Sequence, residues 1–486
     1  MLGRLFRNSS NYAVGSLLVT LAGIISFPLF TRTFSVAEYG TLNLISSVLL
    51  LWTGLGKLGV QQSIIRFHAE ASVGSHQITE SVFLSTVLIG MACTGAMAAA
   101  ALAIVSVVVP AAWWHNEQAA KLLLPLSLLI IVRVLDSAIV NILRAQERSF
   151  FFSVYNVIRK YAALAIILTV MFHFVPKLEG FYLGTFIAEV AAILLMLVYF
   201  SRKHDMGIKK FSPNLYKRML AFGLPMIAFE VSGIVLNLGD RYVIQAKLGG
   251  EALGQYSAAY NLCEYLQTVL IASFGQALMP MYLKHWESNG DEDTKRFIKR
   301  ALRFYLLVAM AVFAGMLAVG QEILTLLASD KYLQGGVVIP FVVAGFLIDG
   351  LIPILGAGIY IHKQNRLLIP GVIVAAVVNI LLNIALLPIY GIVGAGVATL
   401  ICYVFLSGFA WYLGARRLRV ELPILDVCKF AALATIMYFV VQSIYVESRV
   451  LDLFAKVLTG IVVYALLLLA FDKQTRVLLL LLKTRQ

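Results

Sequence analysis

The chain has 486 residues, 60% of them hydrophobic and 13% charged, with a mean hydropathy of +0.88 and a formal net charge of +14. That is far too apolar for a soluble protein of this length, and no polar stretch is long enough for a separate soluble domain, so a soluble enzyme is excluded. A membrane span needs about 20 apolar residues, and such windows recur from end to end. The composition therefore predicts an all-α polytopic membrane protein.

In chain order the apolar windows predict about fourteen spans: 10–31, 40–62, 81–109, 119–141, 152–174, 180–200, 219–238, 254–280, 302–326, 335–361, 367–388, 391–413, 427–446 and 451–471. The first is read as an uncleaved helix, because its apolar run is too long for a signal peptide and no small-x-small cleavage site follows. The break between the tenth and eleventh rests on the polar stretch His362 to Arg366. Cys93, Cys263, Cys402 and Cys428 all fall within apolar runs without paired spacing, which predicts buried packing thiols and neither disulfides nor a metal site.

Basic residues set the expected orientation. They crowd into alternate loops, with six at 201–218 and six at 281–303, whereas the intervening loops hold isolated ones such as Arg32, Lys121 and Lys177. By the positive-inside rule both termini are cytoplasmic. The positive charge then reflects topology and contact with anionic lipid headgroups, and no nucleic-acid partner is needed to account for it. A faint internal repeat also emerges. Arg32 and Gly40 after the first span match Arg241 and Gly254 after the seventh, while Gly180 and Gly391 open the sixth and twelfth. This predicts two six-helix lobes in parallel orientation, 1–200 and 219–413. A basic linker at 201–218 joins them, and 414–486 holds the last two helices and a cytoplasmic tail. In parallel repeats of this kind the substrate site lies between the halves.

Polar residues within the spans supply the candidate site. Glu230, Asn237 and Arg241 lie at i, i+7 and i+11, on one helical face, and Tyr256, Tyr260, Glu264 and Gln267 form another on the next span. Ionisable groups are costly in hydrocarbon, so these faces are expected to look into a wet, protein-lined cavity. Arg133 and Asp136 in the fourth span either neutralise each other at i, i+3 or hold an anion, and two charges at mid-depth are rare without a pathway. In the fifth span Arg159 is a cavity cation, while Lys160 suits snorkelling to the headgroups. Lys57, in a glycine-rich setting near the inner end of the second span, fits either role. Glu189, Glu230, Glu264 and Asp349 lie near the midpoints of their spans. Desolvation there favours a neutral acid unless a cation is near, so Glu230, Glu264 and Asp349 are the acids for cation coupling, with interhelical hydrogen bonding as the bland alternative for Glu189 and Asp349. Tyr256 and Tyr260 are either packing residues or a platform for sugar rings. Motifs for nucleotide binding, nucleophilic catalysis, metal binding or any other cofactor are lacking, so the expected drive is a proton or sodium gradient and the chain is not expected to be an enzyme.

Three stretches carry a family resemblance: FPLFTRTFSVAEYGTLNL after the first span, LNLGDRYVIQAKLGGEALGQYSAAY at the seventh, and YGIVGAGVATLI at the twelfth. The pattern resembles the polysaccharide flippases of the MOP exporter superfamily, bacterial transporters of lipid-linked O-antigen or exopolysaccharide repeat units. The resemblance implies two six-helix lobes plus two extra helices, alternating access, and an undecaprenyl-pyrophosphate-linked oligosaccharide as cargo. It also implies an inner-membrane location beside polysaccharide polymerase machinery and a cavity with basic residues, for which Lys57, Arg133, Arg159 and Arg241 are the matching type. A cation-coupled multidrug exporter and a lipid II flippase of the same superfamily are the alternatives.

Overall fold

The computed structural model describes residues 2–72 and 79–476. Residues 73–78 of the second-to-third-span loop and 477–486 of the expected cytoplasmic tail lie outside the described residues. Seventeen α-helices and no strand are found among the described residues. The chain packs as two compact units, Met1–Gly254 with Val372–Pro388, and Gln255–Gly371 with Ile389–Gln486.

In the first unit, α1 (Leu2–Thr33) packs on α7 (Ser149–His173), which packs on α8 (Lys177–Lys203). α2 (Val36–Gly56) and α3 (Val60–Ser72) pack on α4 (Glu80–Val108) and α6 (Leu128–Ala145). A short α5 (Glu117–Leu126), with Pro125 in its last turn, precedes α6 at a 56° bend, so the fourth expected span is a broken one. Ser35 starts α2 with a capping box: its side chain accepts from the Glu38 amide, and Glu38 Oε2 accepts from the Ser35 amide at 2.9 Å. Asn116 starts α5, accepting from the Ala119 amide and donating to Thr41 Oγ1, both at 2.8 Å, which fastens α5 to α2.

The seventh span opens α9 (Pro213–Leu266). Its first part crosses α2 and the start of α3 at two glycine contacts. A Cβ on Gly59 would strike the carbonyl of Gly223, and one on Gly40 would strike the carbonyl of Gly250, with Gly254 beside it. This first part of α9 therefore runs antiparallel to α2. Gly40 and Gly254, the pair matched by the sequence repeat, both lie in this close contact, where a Cβ on Gly254 would strike the Val36 carbonyl.

In the second unit the end of α9 passes through a π-helical stretch, Gln267–Ala272, into α10 (Ser273–Leu327). α11 (Ile339–Asp349), α12 (Ile352–Leu355) and α13 (Ala357–Ile361) follow as one broken run that packs on α15 (Ile392–Ala415). α14 (Ile369–Tyr390), most of which belongs to the first unit, precedes α15 in the chain, while α16 (Ile424–Gln442) and α17 (Arg449–Phe471) pack on each other and on α10. Tyr256 leans at a tilt on Tyr260, Tyr260 meets Phe346 edge to face, and Phe346 meets Tyr403 in the same way.

Twelve helices are long and apolar enough to cross a membrane, and the bent α5–α6 pair makes a thirteenth. Two of the twelve contain backbone breaks, at Gly249 (φ 84°) and Gly290 (φ 76°), left-handed conformations that glycine adopts without a Cβ penalty. Within the second unit the chain reverses at Gly290. Gln255 and Gln267 pair with Lys331 and Asp349 in parallel order, whereas Tyr305 and Gln321 meet Leu347 and Gly336 in antiparallel order. The two breaks divide residues 213–327 into three membrane-length segments and bring the total to the fourteen expected. The cysteine expectation is only half right. Cys263 and Cys402 are buried, but Cys93 and Cys428 are exposed on apolar helices, where a thiol costs little because it behaves as a small hydrophobe.

Candidate functional site

The in-membrane charges of the first unit occur as pairs between helices. Lys57 closes the C-terminal end of α2, where the unpaired carbonyls favour a cation, and donates to Glu230 Oε1 of α9 at 3.0 Å. Gln61 of α3 donates to the other carboxylate oxygen. The two charged side chains are 17% and 22% exposed. Glu230 is therefore balanced by Lys57. Between Lys57 and Gln61 the backbone breaks at Leu58 (φ 47°) and Gly59 (φ 71°). A leucine in this left-handed region is strained by its Cβ.

Arg133 of α6 grips Glu189 of α8 with both arms, Nε to Oε2 and Nη2 to Oε1 at 3.1 Å each. The local Arg133–Asp136 pair suggested by their spacing does not form. Asp136 instead takes Arg159 of α7 as its ion partner and accepts from Tyr155 at 2.8 Å. A guanidinium fork suits a carboxylate on a facing helix better than one a turn along its own, because both parallel hydrogen bonds can then form. Arg159 and Glu189 also interact electrostatically, so the two pairs form one cluster across α6, α7 and α8. Gly56, beside Lys57, lies against Ile130 and Val134 of the turn that carries Arg133. All three cations are one-sixth to one-third exposed, and each holds its own carboxylate. The basic residues expected from the sequence are thus largely compensated, with Lys160, which interacts electrostatically with Arg133, Arg159 and Glu189, adding one further positive charge to the cluster. An uncompensated charge at this depth would cost several kcal/mol.

The remaining predicted residues are placed differently. Arg241 is 5% exposed and donates to Ser47 at 3.3 Å inside the α2–α9 contact, while Asn237 of the same sequence face is exposed. Tyr256 and Tyr260 are 0% and 2% exposed, so the tyrosine face looks into packed protein and not into a wet cavity. Glu264, expected to be buried, is exposed. Asp349 ends α11 at a break in the helix and accepts from Gln267 at 3.1 Å; among the described residues no cation pairs with it. Lys160 is exposed, as snorkelling requires.

Sequence reasoning missed Gln61 and the buried pair Asn379 and Asn383 of α14, which bond to each other at 3.1 Å. Their signal was present: Gln61 stands four residues after Lys57, and the two asparagines stand at i, i+4 within an apolar run.

A family model described as polysaccharide biosynthesis protein matches residues 5–286. The probable low-salt glycan biosynthesis flippase Agl15 of Haloferax volcanii is 21% identical over 218 residues, covering 44% of this chain and 45% of that one. The multidrug export protein MepA of Staphylococcus haemolyticus is 24% identical over 217 residues, covering 39% of this chain and 46% of its own. The chain thus spans less than half the length of these curated relatives. Among solved structures, the lipid II flippase MurJ in an inward closed conformation superposes with a TM-score of 0.79 at 16% identity, covering 96% of this chain and 99% of that one. The inward-facing conformation of a multidrug resistance MATE family transporter of the MOP superfamily gives 0.66 at 14% identity, covering 83% and 98%. At these identities the superpositions speak for the fold. The family model covers more than half of the 486 residues, and on that ground the chain belongs to the polysaccharide biosynthesis protein family, as a multi-pass membrane protein.

Proposed function

We propose that this chain moves an undecaprenyl-pyrophosphate-linked oligosaccharide across the bacterial inner membrane by alternating access between two six-helix lobes, 1–200 and 219–413, with both termini cytoplasmic. The observation that carries the reading is the row of half-buried cations Lys57, Arg133 and Arg159 at membrane depth, each held by a carboxylate from another helix. A pyrophosphate is the anion that can take over from such carboxylates: it offers several acceptor oxygens to a guanidinium fork and to an ammonium. Arg241, Tyr256 and Tyr260 are buried here and are not assigned to direct contact with cargo. The drive is a proton or sodium gradient, since one charge crossing 100 mV gains about 2.3 kcal/mol. Asp349, with only the amide of Gln267 as a partner, is the better coupling acid; Glu230 is engaged by Lys57. Glu264 is the second candidate.

Export of drugs is the rival reading, favoured by the likeness to MepA. The test is to delete the gene and measure surface polysaccharide and drug tolerance separately. Loss of polymer with unchanged tolerance is expected. Loss of tolerance with normal polymer would overturn the proposal.

A further inference from the structure

The inner part of α9 is zipped to α3 along its length. Ser63 Oγ donates to the Met219 carbonyl at 2.7 Å, Arg218 pairs with Glu70 at 2.9 Å, and Arg66 sits 4.7 Å over the ring of Phe222. Gly59 and Gly223 touch backbone to backbone at the head of this zipper. Just beyond them stands the Lys57–Glu230–Gln61 cluster. The backbone of the first partner is broken at the same point, with Leu58 and Gly59 both left-handed. A break, a close glycine crossing and a charged clasp thus coincide within five residues of α2–α3. Among the described residues, no left-handed one stands beside the pairs Arg133–Glu189 and Arg159–Asp136.

We infer that Lys57–Gly59 is a hinge, that Glu230 is the clasp holding α3 against α9, and that the anionic headgroup of the cargo opens it by displacing Glu230 from Lys57. This rests on the pyrophosphate reading above and extends it. Glu230 acts as a built-in stand-in for the cargo's anion, so binding at Lys57 and closure of the crossing exclude each other. The carboxylate keeps the lysine from being an uncompensated charge while the site is empty. An arriving pyrophosphate replaces it with more acceptors, and the freed acid and Gln61 then become accessible to water. The strained Leu58 makes the closed form lean on the clasp: with the ion pair gone, only the α3–α9 zipper is left to offset the cost of a left-handed leucine. Glu230 is in this sense a positioning residue, acting on cargo only through Lys57.

The test uses the full chain in lipid nanodiscs, with the four cysteines replaced by alanine and a single reporter, Ser63→Cys. Ser63 is completely buried in the zipper, so maleimide labelling reads its opening. Glu230→Gln and Lys57→Gln are both expected to label about tenfold faster than the parent, the effect of losing ~1.4 kcal/mol of clasp energy. The charge swap Lys57→Glu with Glu230→Lys should restore slow labelling, which separates an opened clasp from a misfolded chain. Inorganic pyrophosphate, the probe, should accelerate labelling of the parent, leave Glu230→Gln unchanged and bind to Lys57→Gln at least tenfold more weakly by calorimetry. Parental labelling rates in Glu230→Gln would overturn the clasp. Pyrophosphate that binds the parent and Lys57→Gln equally would overturn the competition while leaving an anionic cargo in place. Variants that label faster while no form binds pyrophosphate would overturn the competition together with the pyrophosphate reading itself.

Discussion

The two units handle charge in opposite ways. In the first, ion pairs join helices away from their ends, Arg133 with Glu189 and Arg159 with Asp136, and even Lys57 at the end of α2 takes its partner, Glu230, from the body of another helix. In the second, the charge clusters lie at helix ends. Asp472, just past α17, gathers Arg303 and Lys429, with Asp426 completing the group, and Lys456 near the start of α17 binds both Glu322 and Asp452. Its mid-depth is instead filled by tyrosine and phenylalanine, with Asp349, held by Gln267, and the exposed Glu264 as the exceptions. A charge at a helix end is served by water and headgroups, so it fastens helices at modest cost. A charge at mid-depth is expensive whether or not it is paired, and its persistence points to a task beyond fastening.

Substitutions can break or sharpen that contrast, and the largest effect should come from Arg133. Arg133→Ala is expected to lower polymer export at least a hundredfold and to destabilise the protein by roughly 2 kcal/mol, because Glu189 is left unpaired. The double variant Arg133→Gln with Glu189→Gln should recover the stability but not the export. Full export by the double variant would make the pair a fastener, and the contrast between the units would fall.

Next comes coupling. Transport by reconstituted Asp349→Asn should lose about tenfold of its acceleration by an imposed pH gradient and keep its gradient-free rate. If the gradient still accelerates it, the coupling acid is Glu264 or the drive is a sodium ion.

For the rim cluster the expected effect is on stability alone. Burial raises the Asp472 carboxyl, but hydrogen bonds from Lys429, Thr475 and Arg303 outweigh it and hold the group well below the usual carboxylate range. A depressed carboxylate contributes stability that is fully present above its unfolded value of about 3.9 and is lost as pH falls through the folded value. Asp472→Asn should therefore cost about 2 kcal/mol, constant from pH 5 to 8, with the difference from the parent shrinking below about pH 4. Thermal unfolding in detergent over that range would measure it, while export per folded molecule should stay unchanged. A loss of export at normal folded yield would blur the division between the units.

The smallest effect belongs to the cap of α2. Ser35→Ala removes the hydrogen bond to Glu38 and should lower stability by about 1 kcal/mol, read as a small drop in Tm. A larger drop would mean that the outer glycine crossing of Gly40 with Gly250 depends on where α2 begins.

What the amino-acid sequence determined by itself is the class and count of elements. Hydrocarbon demands about 20 apolar residues per span and tolerates no unpaired backbone, so apolar windows and loop charges marked fourteen helices before any contact was known. The chain breaks inside two long helical runs fall at Gly249 and Gly290, left-handed conformations that other residues resist. Lys57, Arg133, Arg159 and Glu230 were also visible, because a charge in an apolar run stands out whatever surrounds it. Only the tertiary structure decided their partners. Spacing offered Arg133 to Asp136, one turn away, but the fold gave it Glu189, 56 residues on, and gave Asp136 to Arg159. It also turned Tyr256 and Tyr260 into packed core and left Glu264 exposed, although helical periodicity had put them on one face. Periodicity fixes which residues share a side of a helix. What that side meets depends on helices far away in the chain, and in a membrane, where lipid and protein interior are nearly equally apolar, hydrophobicity cannot tell the two apart.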